Sequence, residues 1–394
     1  MSLENFAYSA VQAGIRYTNR LDLGLIYSDV PCVTAGVFTT SKVQAAPVLI
    51  DRARLNGGYA QAILVNSGCA NACTGEAGMK NANITSSLAA QRLGIPENLV
   101  LLSSTGVIGE QLNVQAFTDH MDSLVAGLSP DNFEMVAQAI MTTDTVQKVA
   151  GKTVIIGGKP VKILGMAKGA GMVMPNMATM LAFIMTDARI IIPELQKSLA
   201  KSVERTFNRI TIDGDTSTND MVLVMANRTA ENPLIDGDSS DDQQAFQDAL
   251  EEVLKDLALQ IVSDGEGATK TITIRVCGAR DDQDAEKIAR TIATSSLVKT
   301  AFFGEDANWG RIIAAMGRSG VNYSPEHVDI AFGDVTIVNN GSAVGKQAEE
   351  EATRILKNKA FSVCIDLKDG PGTAEMYTCD FSLEYVKINA NYRS

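Results

Sequence analysis

The segment Lys168–Ala188 reads KGAGMVMPNMATMLAFIMTDA and places one threonine, Thr179, between a small alanine and an apolar run. The glycines allow backbone angles that are closed to other residues, and Pro175 prevents a helix from forming across the segment. The run Met180–Met185 is short enough to predict a buried strand, although a buried helix has the same apolar pattern. These residues are typical of a glycine-bearing loop that enters a buried strand.

The same residues also suit a chain that cleaves itself before Thr179. The threonine hydroxyl would attack the carbonyl carbon of Ala178, and the peptide bond would become an ester. Water would then release an N-terminal threonine whose own amine acts as its base. Ala178 is small and leaves its carbonyl unobstructed. Because a threonine after an alanine is common, the residues alone favour the plain loop.

Strands and helices alternate along the rest of the chain. Ala62–Val65 and Leu99–Leu102 predict buried strands, and Gly157-Gly158 predicts a tight hairpin between Thr153–Ile156 and Val161–Met166. Further elements are predicted in the C-terminal half, namely helices at Asp284–Ser296 and Gln347–Lys359 and strands at Thr271–Val276, Val328–Phe332, Val335–Val338, Phe361–Ile365 and Tyr385–Ile388. This pattern indicates an α/β (α+β) fold, and a length of 394 residues predicts two lobes.

Composition excludes several classes of protein. A net charge of −12 argues against binding to nucleic acid or to anionic membranes, both of which need a basic surface. The N-terminal residues lack a secretory signal and no apolar stretch is long enough to cross a membrane, so we expect a cytoplasmic protein. Six cysteines and two histidines are too few for a disulfide framework or a zinc site, so we expect no metal.

The histidines also bear on the type of catalyst. His120 lies on a predicted helix beside Phe117 and Met121, where a packed or surface histidine is the simplest interpretation. The chain therefore offers few histidines that could act as the base of a Ser-His-Asp mechanism. This favours a nucleophile that provides its own base.

Motifs along the whole chain resemble, in order, those of the ornithine acetyltransferase family, also called the bifunctional glutamate N-acetyltransferase or ArgJ family. Besides Lys168–Ala188, the segments that carry the resemblance are GVFTTSKVQAAPV (36–48), VNSGCANACTG (65–75), SSTGVIGE (103–110), MTTDT (141–145), FNRITIDGDTSTND (207–220), DGEGATK (264–270), GEDANWGRI (304–312) and YVKINANYRS (385–394). One departure is visible, because the family usually has Asn where Cys69 stands.

The resemblance implies a fold and a processing step. The fold would be an αββα-type layered sandwich of the kind shared by the DmpA and ArgJ proteins. Self-cleavage between Ala178 and Thr179 would give an α chain of residues 1–178 and a β chain of residues 179–394. Two α and two β chains would form a heterotetramer.

The resemblance also implies a reaction in arginine biosynthesis. Acetyl would pass from N2-acetyl-L-ornithine to L-glutamate through an acetyl-Thr179 intermediate, without a cofactor. Whether acetyl-CoA is also a donor is left open. By the same resemblance, Thr105 and Gly106 form the oxyanion hole beside the catalytic Thr179. Substrate contacts are implied for Thr143, Lys168, Thr179, Glu266, Asn389 and Ser394, with Thr145 as the competing choice in MTTDT.

The residues themselves leave simpler interpretations open. A strand that ends in Ser103–Gly106 can aim a hydroxyl and a backbone N–H at one point, yet an ordinary turn has the same sequence. Lys168 is equally typical of a solvated lysine. The alternatives are a β-aminopeptidase of the same broad fold, a kinase, and a binding module that is never cleaved. Known β-aminopeptidases use Ser as nucleophile, and the chain has no phosphate-binding loop.

Overall fold

The structure is a computed structural model that describes residues 2–174 and 180–391. The chain divides into two compact units, one comprising Met1–Asn208 and Asp215–Ile261 and the other Arg209–Gly214 and Val262–Ser394. Each unit is built around its own sheet with helices packed on it. The predicted α/β class with two lobes is confirmed, whereas the predicted cleavage bond between Ala178 and Thr179 lies outside the described residues.

The first unit contains a mixed sheet in the order β4-β3-β2-β9-β7-β6-β5, with β1 paired to β2. Its strands are β1 Phe6–Val11, β2 Leu23–Phe38, β3 Tyr59–Asn66, β4 Val100–Ser104, β5 Lys148–Ile156, β6 Lys159–Lys168, β7 Leu181–Thr186 and β9 Met221–Ala226. Its helices are α1 Ala46–Arg54, α2 Gly75–Leu93, α3 Val114–Ala126, α4 Phe133–Ala139, α5 Ile192–Arg205 and α6 Ser240–Ser263, whose last two residues belong to the second unit. The predicted strands at Ala62–Val65 and Leu99–Leu102 are confirmed, as is the glycine hairpin.

Strands β7 and β9 lie side by side in the middle of this sheet. They run parallel, with Leu181 opposite Met221, and all their residues are buried. Burial on both faces explains why both strands are nearly continuous apolar runs. The predicted strand at Met180–Met185 is therefore confirmed. Because the two strands begin at the same edge, Met180 and Asp220 are neighbours, and the Met221 N–H donates to the Met180 carbonyl at 3.1 Å.

The two faces of the sheet bury alternate side chains, as strand geometry requires. Phe183 of β7 packs in one cluster with Ile63 and with Val136 of α4. Leu64 and Leu102 point the other way and pack against α2 and α3. The ends of the central strands are thus held on both sides, which fixes the segments that follow β4 and precede β7 and β9.

The second unit contains a sheet in the order β13-β12-β11-β14-β10-β15-β8. Its strands are β8 Ile210–Thr211, β10 Thr271–Ala279, β11 Asp329–Phe332, β12 Val335–Asn339, β13 Ser342–Ala343, β14 Ala360–Asp366 and β15 Gly372–Cys379. Its helices are α7 Asp282–Ala293, α8 Ser296–Phe303, α9 Trp309–Gly317, α10 Lys346–Leu356 and α11 Leu383–Ala390. The predicted helices at Asp284–Ser296 and Gln347–Lys359 are confirmed to within a few residues, and so are four of the five predicted strands.

The fifth prediction, a strand at Tyr385–Ile388, is wrong. These residues belong to α11, which begins after Ser382, whose hydroxyl accepts a hydrogen bond from the Glu384 N–H. That bond satisfies one of the free N–H groups of a helix start. The β-branched residues suggested a strand, but Val386 is 65% exposed and makes no buried face. No helix in the described ranges is long and apolar enough to cross a membrane.

Candidate active site

The segment Ser104–Val107, here called the Thr105 turn, follows the end of β4 in the first unit. The Thr105 N–H donates to the Asn66 carbonyl at 3.0 Å, so only the Thr105 hydroxyl is available to a ligand. The Gly106 N–H has no acceptor in the part of the chain that the structure describes. Gly106 has φ +132°, which favours glycine, and a Cβ at this position would lie 2.3 Å from the Gly68 carbonyl carbon. Backbone angle and space therefore both require glycine here. The turn thus carries a hydroxyl and a backbone N–H on adjacent residues, and their role as an oxyanion hole stays a prediction.

Lys168, the last residue of β6, lies against this turn. Its Nζ donates to Thr142 Oγ1 at 2.7 Å and to Thr105 Oγ1 at 3.3 Å. An ammonium can only donate, so the Thr105 oxygen accepts and its own hydrogen is left to point at another acceptor. The residue is 8% exposed and is not a solvated surface lysine. The structure therefore brings together two residues that the motifs predicted, Lys168 and Thr105.

Asp144 is the counter-charge of Lys168 and of a second buried lysine, Lys148. Its Oδ1 accepts from Lys148 Nζ and from the Gly169 N–H, each at 2.7 Å, and its Oδ2 lies 3.9 Å from Lys168 Nζ. Burial on its own raises the pKa of Asp144, but the charges of Lys168 and Lys148 outweigh it and lower the pKa to about 2. An ionised carboxylate thus holds both ammonium groups and the first residue of the glycine-rich loop.

Two buried asparagines hold the Thr105 turn from behind. The Nδ2 of Asn219, just before β9, donates to the carbonyls of Ala70 at 2.6 Å and Ser104 at 2.7 Å. Asn66 accepts from the Ser104 hydroxyl at 2.7 Å through its Oδ1. Asn219 thereby ties the Thr105 turn to the edge at which β7 and β9 begin. Sequence reasoning assigned neither residue a role, although Asn219 stands inside the FNRITIDGDTSTND motif.

Cys69, the departure from the family pattern, contacts the same turn. Its backbone forms isolated bridges with Thr105 and Val107, and its thiol lies 3.4 Å from the Glu110 carbonyl. The contact with the turn is made by main-chain atoms that every residue has. The structure therefore gives a reason why a cysteine is compatible with an intact turn.

Asp220 is a second buried carboxyl beside Lys168. Burial raises its pKa well above the ordinary range, while hydrogen bonds from Ser217, the charge of Lys168 and the Met180 N–H act in the opposite direction. Within the described ranges, no donor lies at hydrogen-bond distance from its Oδ2. The charge of Lys168 thus lowers the pKa of both carboxyls, but burial prevails in Asp220 and not in Asp144. Sequence reasoning assigned Asp220 no role.

The MTTDT segment supplies the threonine that contacts Lys168. That residue is Thr142, whereas the predicted substrate ligand Thr143 is partly exposed beside it and Thr145 is exposed. Substrate binding by Thr143 or Thr145 stays a prediction. The predicted residues Ala178, Thr179 and Ser394 lie outside the described residues.

The second unit brings together two other predicted site residues. Glu266 is 6% exposed, and its Oε2 accepts from Asn389 Nδ2 at 2.7 Å. The helix that carries Asn389 is fastened at its start, where the Ser382 hydroxyl donates to the Gly267 carbonyl at 2.5 Å. A Cβ at Gly267 would lie 2.6 Å from the Tyr385 nitrogen, so this contact depends on glycine. The C-terminal segment is thus held against the DGEGATK loop through residue 391.

On the Thr105 turn of the first unit, the Thr105 hydroxyl and a backbone N–H without an acceptor in the described ranges are both open to a ligand. Two such donors can stabilise a carbonyl oxygen that gains negative charge. The chain matches the model of the ArgJ family over residues 7–394 and belongs to that family, as its motifs predict.

Relatives of known name agree with this assignment. The chain is 66% identical to a Desulfotalea psychrophila protein and 50% identical to one from Geobacter sulfurreducens, over the full length of all three chains. Both relatives are named "Arginine biosynthesis bifunctional protein ArgJ". A crystal structure of the Bacillus halodurans protein of that name is 47% identical, with a TM-score of 0.52, and covers 54% of this chain and 100% of its own. The predicted class, an acyltransferase of arginine biosynthesis, is confirmed at the level of the family.

Proposed function

We propose that the chain is a cytoplasmic glutamate N-acetyltransferase that moves acetyl from N2-acetyl-L-ornithine to L-glutamate in arginine biosynthesis. The observation that carries this proposal is the Thr105 turn. Its Thr105 hydroxyl is held by Lys168, and its Gly106 N–H has no acceptor among the described residues. One such donor in an oxyanion hole lowers the activation free energy by about 2.7–4 kcal/mol. The names of the relatives support the pathway.

The chain would first cleave itself between Ala178 and Thr179. The Thr179 Oγ attacks the Ala178 carbonyl carbon, the C–N bond breaks, and an ester joins the two parts. Water attacks the ester, which releases the Ala178 carboxylate and restores the Thr179 hydroxyl. The new α-amine of Thr179 has an ordinary pKa of about 7.7–8.0 and can serve as a base near neutral pH.

Acetyl transfer would then proceed by double displacement. The Thr179 Oγ attacks the acetyl carbonyl of acetylornithine, ornithine leaves with the proton that the α-amine received, and an acetyl ester remains. The amine of glutamate attacks this ester to give N-acetylglutamate and free enzyme. In both steps the carbonyl oxygen becomes negative and would lie against the Thr105 hydroxyl and the Gly106 N–H.

The remaining predicted residues would bind the amino-acid parts of the substrates. Both substrates carry an α-carboxylate, which Thr143, Asn389 and Ser394 can hydrogen-bond without adding charge. Lys168 and Glu266 supply one charge of each sign for a substrate that carries both. Because acetylornithine and glutamate share an amino-acid backbone, one set of contacts can serve both halves of the reaction.

A second donor is supported by the relatives, which are named as bifunctional proteins. We propose that acetyl-CoA also acetylates Thr179, so that glutamate can be acetylated without acetylornithine. An initial-rate assay with acetyl-CoA and glutamate as the only substrates tests this. We expect turnover by the wild-type protein and none by Thr179→Ala. If the wild-type protein shows no turnover, acetylornithine is the single donor.

Kinetics and mass together test the main proposal. Wild-type protein should contain fragments 1–178 and 179–394, and initial-rate plots should be parallel because ornithine leaves before glutamate binds. Thr179→Ala should remain uncut and inactive, whereas Thr179→Ser keeps the hydroxyl chemistry. An uncut chain with full activity, or intersecting plots, would contradict the mechanism. Release of acetate without glutamate would instead indicate a hydrolase of the β-aminopeptidase kind.

The proposed assembly contains two copies of each fragment. Light scattering on the cleaved protein should give the mass of two complete chains, with both fragments in one peak. A peak with the mass of a single chain would exclude the heterotetramer and leave the catalytic proposal untouched.

A further inference from the structure

Lys299 of α8 is a buried lysine of the second unit that the proposed mechanism does not use. The residue is 1% exposed. Its Nζ donates to Thr378 Oγ1 at 2.8 Å and to the Cys379 carbonyl, and it lies 3.7 Å from the Cys379 thiol and 4.6 Å from the centroid of the Phe381 ring. These contacts all lie at the end of β15 and in residues 380–382, here called the connector, which join β15 to α11.

A buried ammonium needs a reason to be kept. Burial lowers the pKa of Lys299, while the Cys379 thiol and the charges of Asp380 and Asp213 act in the opposite direction. Among the described residues, no carboxylate forms an ion pair with its Nζ. Removal of an ammonium from water without a paired carboxylate is costly, and an apolar side chain of similar length would avoid that cost. The charge of Lys299 therefore points to a use beyond packing.

The connector holds the DGEGATK loop through Asp380. Its Oδ1 accepts from the N–H groups of Thr269 and Lys270, each at 2.8 Å, and its Oδ2 accepts from the Thr269 hydroxyl at 2.5 Å. Charge-assisted hydrogen bonds of this kind are the strong ones in proteins, and three of them fix the carboxylate to the loop. Because the same loop carries Glu266, the connector sets the position of the Glu266 side chain.

The connector also holds α11, through Phe381. The Phe381 ring stacks on the Tyr385 ring, with the centroids 4.7 Å apart and the planes at 18°. The Tyr385 hydroxyl donates to Asp213 Oδ2 at 3.4 Å, which fixes the ring further. One turn along α11, the Asn389 amide donates to the Tyr385 carbonyl at 3.0 Å and to Glu266 Oε2 at 2.7 Å. The connector thus reaches both partners of the Glu266–Asn389 contact.

We propose that Lys299 is a positioning residue for substrate binding by Glu266 and Asn389. Its ammonium holds the end of β15 and the Phe381 ring against α8, and the Phe381 N–H donates to the Lys299 carbonyl at 3.2 Å. A cation over an aromatic face is attracted more strongly when both are shielded from water. The connector therefore keeps one position, in which the loop and α11 bring Glu266 and Asn389 together. This inference rests on the proposed function, in which these two residues bind the amino-acid parts of the substrates.

The first variant is Lys299→Met, because methionine fills a similar volume without a charge. We expect KM for acetylornithine and for glutamate to rise about three- to tenfold while kcat stays near wild type, as for a loss of uniform binding. Self-cleavage should be unchanged, because the contacts of Lys299 all lie in the second unit. Hydrogen exchange read by mass spectrometry should become faster in α11 and in the DGEGATK loop.

A second variant, Phe381→Leu, keeps the test decisive if Lys299→Met does not fold. It removes the ring from the Lys299 ammonium and from Tyr385, and it leaves the hydrogen bonds of Lys299 in place. Phe381 is only partly buried, so we expect this variant to fold. It should raise the same two KM values without a fall in kcat. Wild-type KM values in folded Phe381→Leu would overturn the proposal.

The control for a general loss of stability is Ile337→Ala in β12. Ile337 is fully buried in the hydrophobic cluster of the second unit, but β11, β14 and β10 separate β12 from β15. A cavity at this position should lower the melting temperature at least as much as Lys299→Met does. Both KM values should nevertheless stay at the wild-type level. An equal rise of KM in Ile337→Ala would mean that KM reports stability alone, and the positioning role would be overturned.

The outcomes separate this proposal from the proposed function. If Asn389→Ala raises both KM values and Lys299→Met leaves them unchanged, Lys299 is not a positioning residue and the proposed function stands. If Asn389→Ala leaves both KM values unchanged, the substrate contacts of the proposed function are wrong, and the role of Lys299 falls with them. A rise of KM in Asn389→Ala, Lys299→Met and Phe381→Leu, but not in Ile337→Ala, is the result that we expect.

Discussion

The two ends of the central strand pair β7–β9 carry buried polar groups of very different character. At the far end each such group is bonded to nearby backbone, in the pairs Thr186 Oγ1 with Lys162 O at 2.7 Å, Asp187 Oδ1 with Lys162 N at 2.8 Å, Asn227 Nδ2 with Glu4 O at 2.7 Å and Asn232 Nδ2 with Pro233 O at 2.6 Å. At the near end Asp220 Oδ2 and the Gly106 N–H have no partner in the described part of the chain. Both ends belong to the same two strands, so the difference in hydrogen bonding arises from the segments that precede and follow β7 and β9.

This difference distinguishes polar groups that close a fold from polar groups that act. A satisfied buried network makes a loop rigid, whereas a buried group without a partner costs about 1–3 kcal/mol and calls for an explanation, of which a role in binding or catalysis is one. Rigid groups occur at the near end as well, since Asn219 and Asp144 are fully bonded. The near end therefore combines fixed supports with groups that have no partner in the described ranges. Variants at matched positions of the two ends should differ in activity more than in stability.

The largest effect is expected from Gly106→Ala. A Cβ at 2.3 Å from the Gly68 carbonyl carbon must displace the Thr105 turn, so kcat should fall about 100- to 1000-fold, as for a lost oxyanion donor. Gly109→Ala is the control, since φ there is +87° but no atom lies within 4 Å of the new Cβ. It should lower the free energy of unfolding by about 1–2 kcal/mol and leave kcat near wild type. Equal kcat losses in the two variants would refute the role of the turn.

A smaller effect is expected from Asn219→Asp. The carboxylate cannot donate to the Ala70 and Ser104 carbonyls, so the turn should shift and kcat should fall about 10- to 100-fold with little change in KM. Asn232→Asp removes a comparable pair of donor contacts, to Arg189 and Pro233, at the far end. Thermal melts of both variants should show similar destabilisation, and only Asn219→Asp should lose kcat. Loss of kcat in both would mean that Asn219 acts on stability alone.

The sequence was informative where pattern and motif agreed. Continuous apolar runs predicted β7, and Gly157-Gly158 predicted the hairpin, because burial on two faces and a tight turn each restrict residue choice strongly. The tail was mispredicted at Tyr385–Ile388, since local β preference does not register a helix cap at Ser382. Family motifs pointed to Thr105, Gly106 and Lys168. Asp144 and Asn219 escaped notice because their contacts join segments distant in sequence, which no local pattern contains.

A third prediction concerns Asp144, the buried counter-charge of Lys168. Asp144 has a depressed pKa in the folded protein, so its ionised form stabilises the fold above pH 4, and this contribution is lost as pH falls to about 2. The contribution is about 2 kcal/mol. Urea unfolding from pH 5 to pH 2 should therefore show a decline in wild type that Asp144→Asn lacks. Asp51 has a raised pKa, so its effect on the free energy of unfolding has the opposite pH dependence: acidification through that pKa stabilises the fold.

If the acid dependence of Asp144→Asn matched that of wild type, the depressed pKa would be wrong. The interpretation of Lys168 as a cation held by Asp144 would then fail as well.

The smallest effect is expected in the second unit. Asn389→Ala removes the partner of Glu266 and, if Asn389 holds the substrate carboxylate, should raise KM for both substrates about tenfold, with self-cleavage intact. Asn391→Ala is the control, since the Asn391 amide donates to the Lys387 carbonyl within its own helix segment. Unchanged KM values in Asn389→Ala would remove Asn389 from the site, and unchanged KM values after deletion of residues 389–394 would remove Ser394 as well.

The most direct measurement is an intact-mass determination after wild-type protein is mixed with acetylornithine alone and quenched in acid. We expect fragment 179–394 to carry one added acetyl group and to lose it when glutamate is supplied. The same fragment of Thr179→Ser protein should also gain an acetyl group if that variant cleaves itself. Fragment 1–178 should remain unmodified throughout. Active protein whose fragment 179–394 never gains an acetyl group would contradict transfer through Thr179.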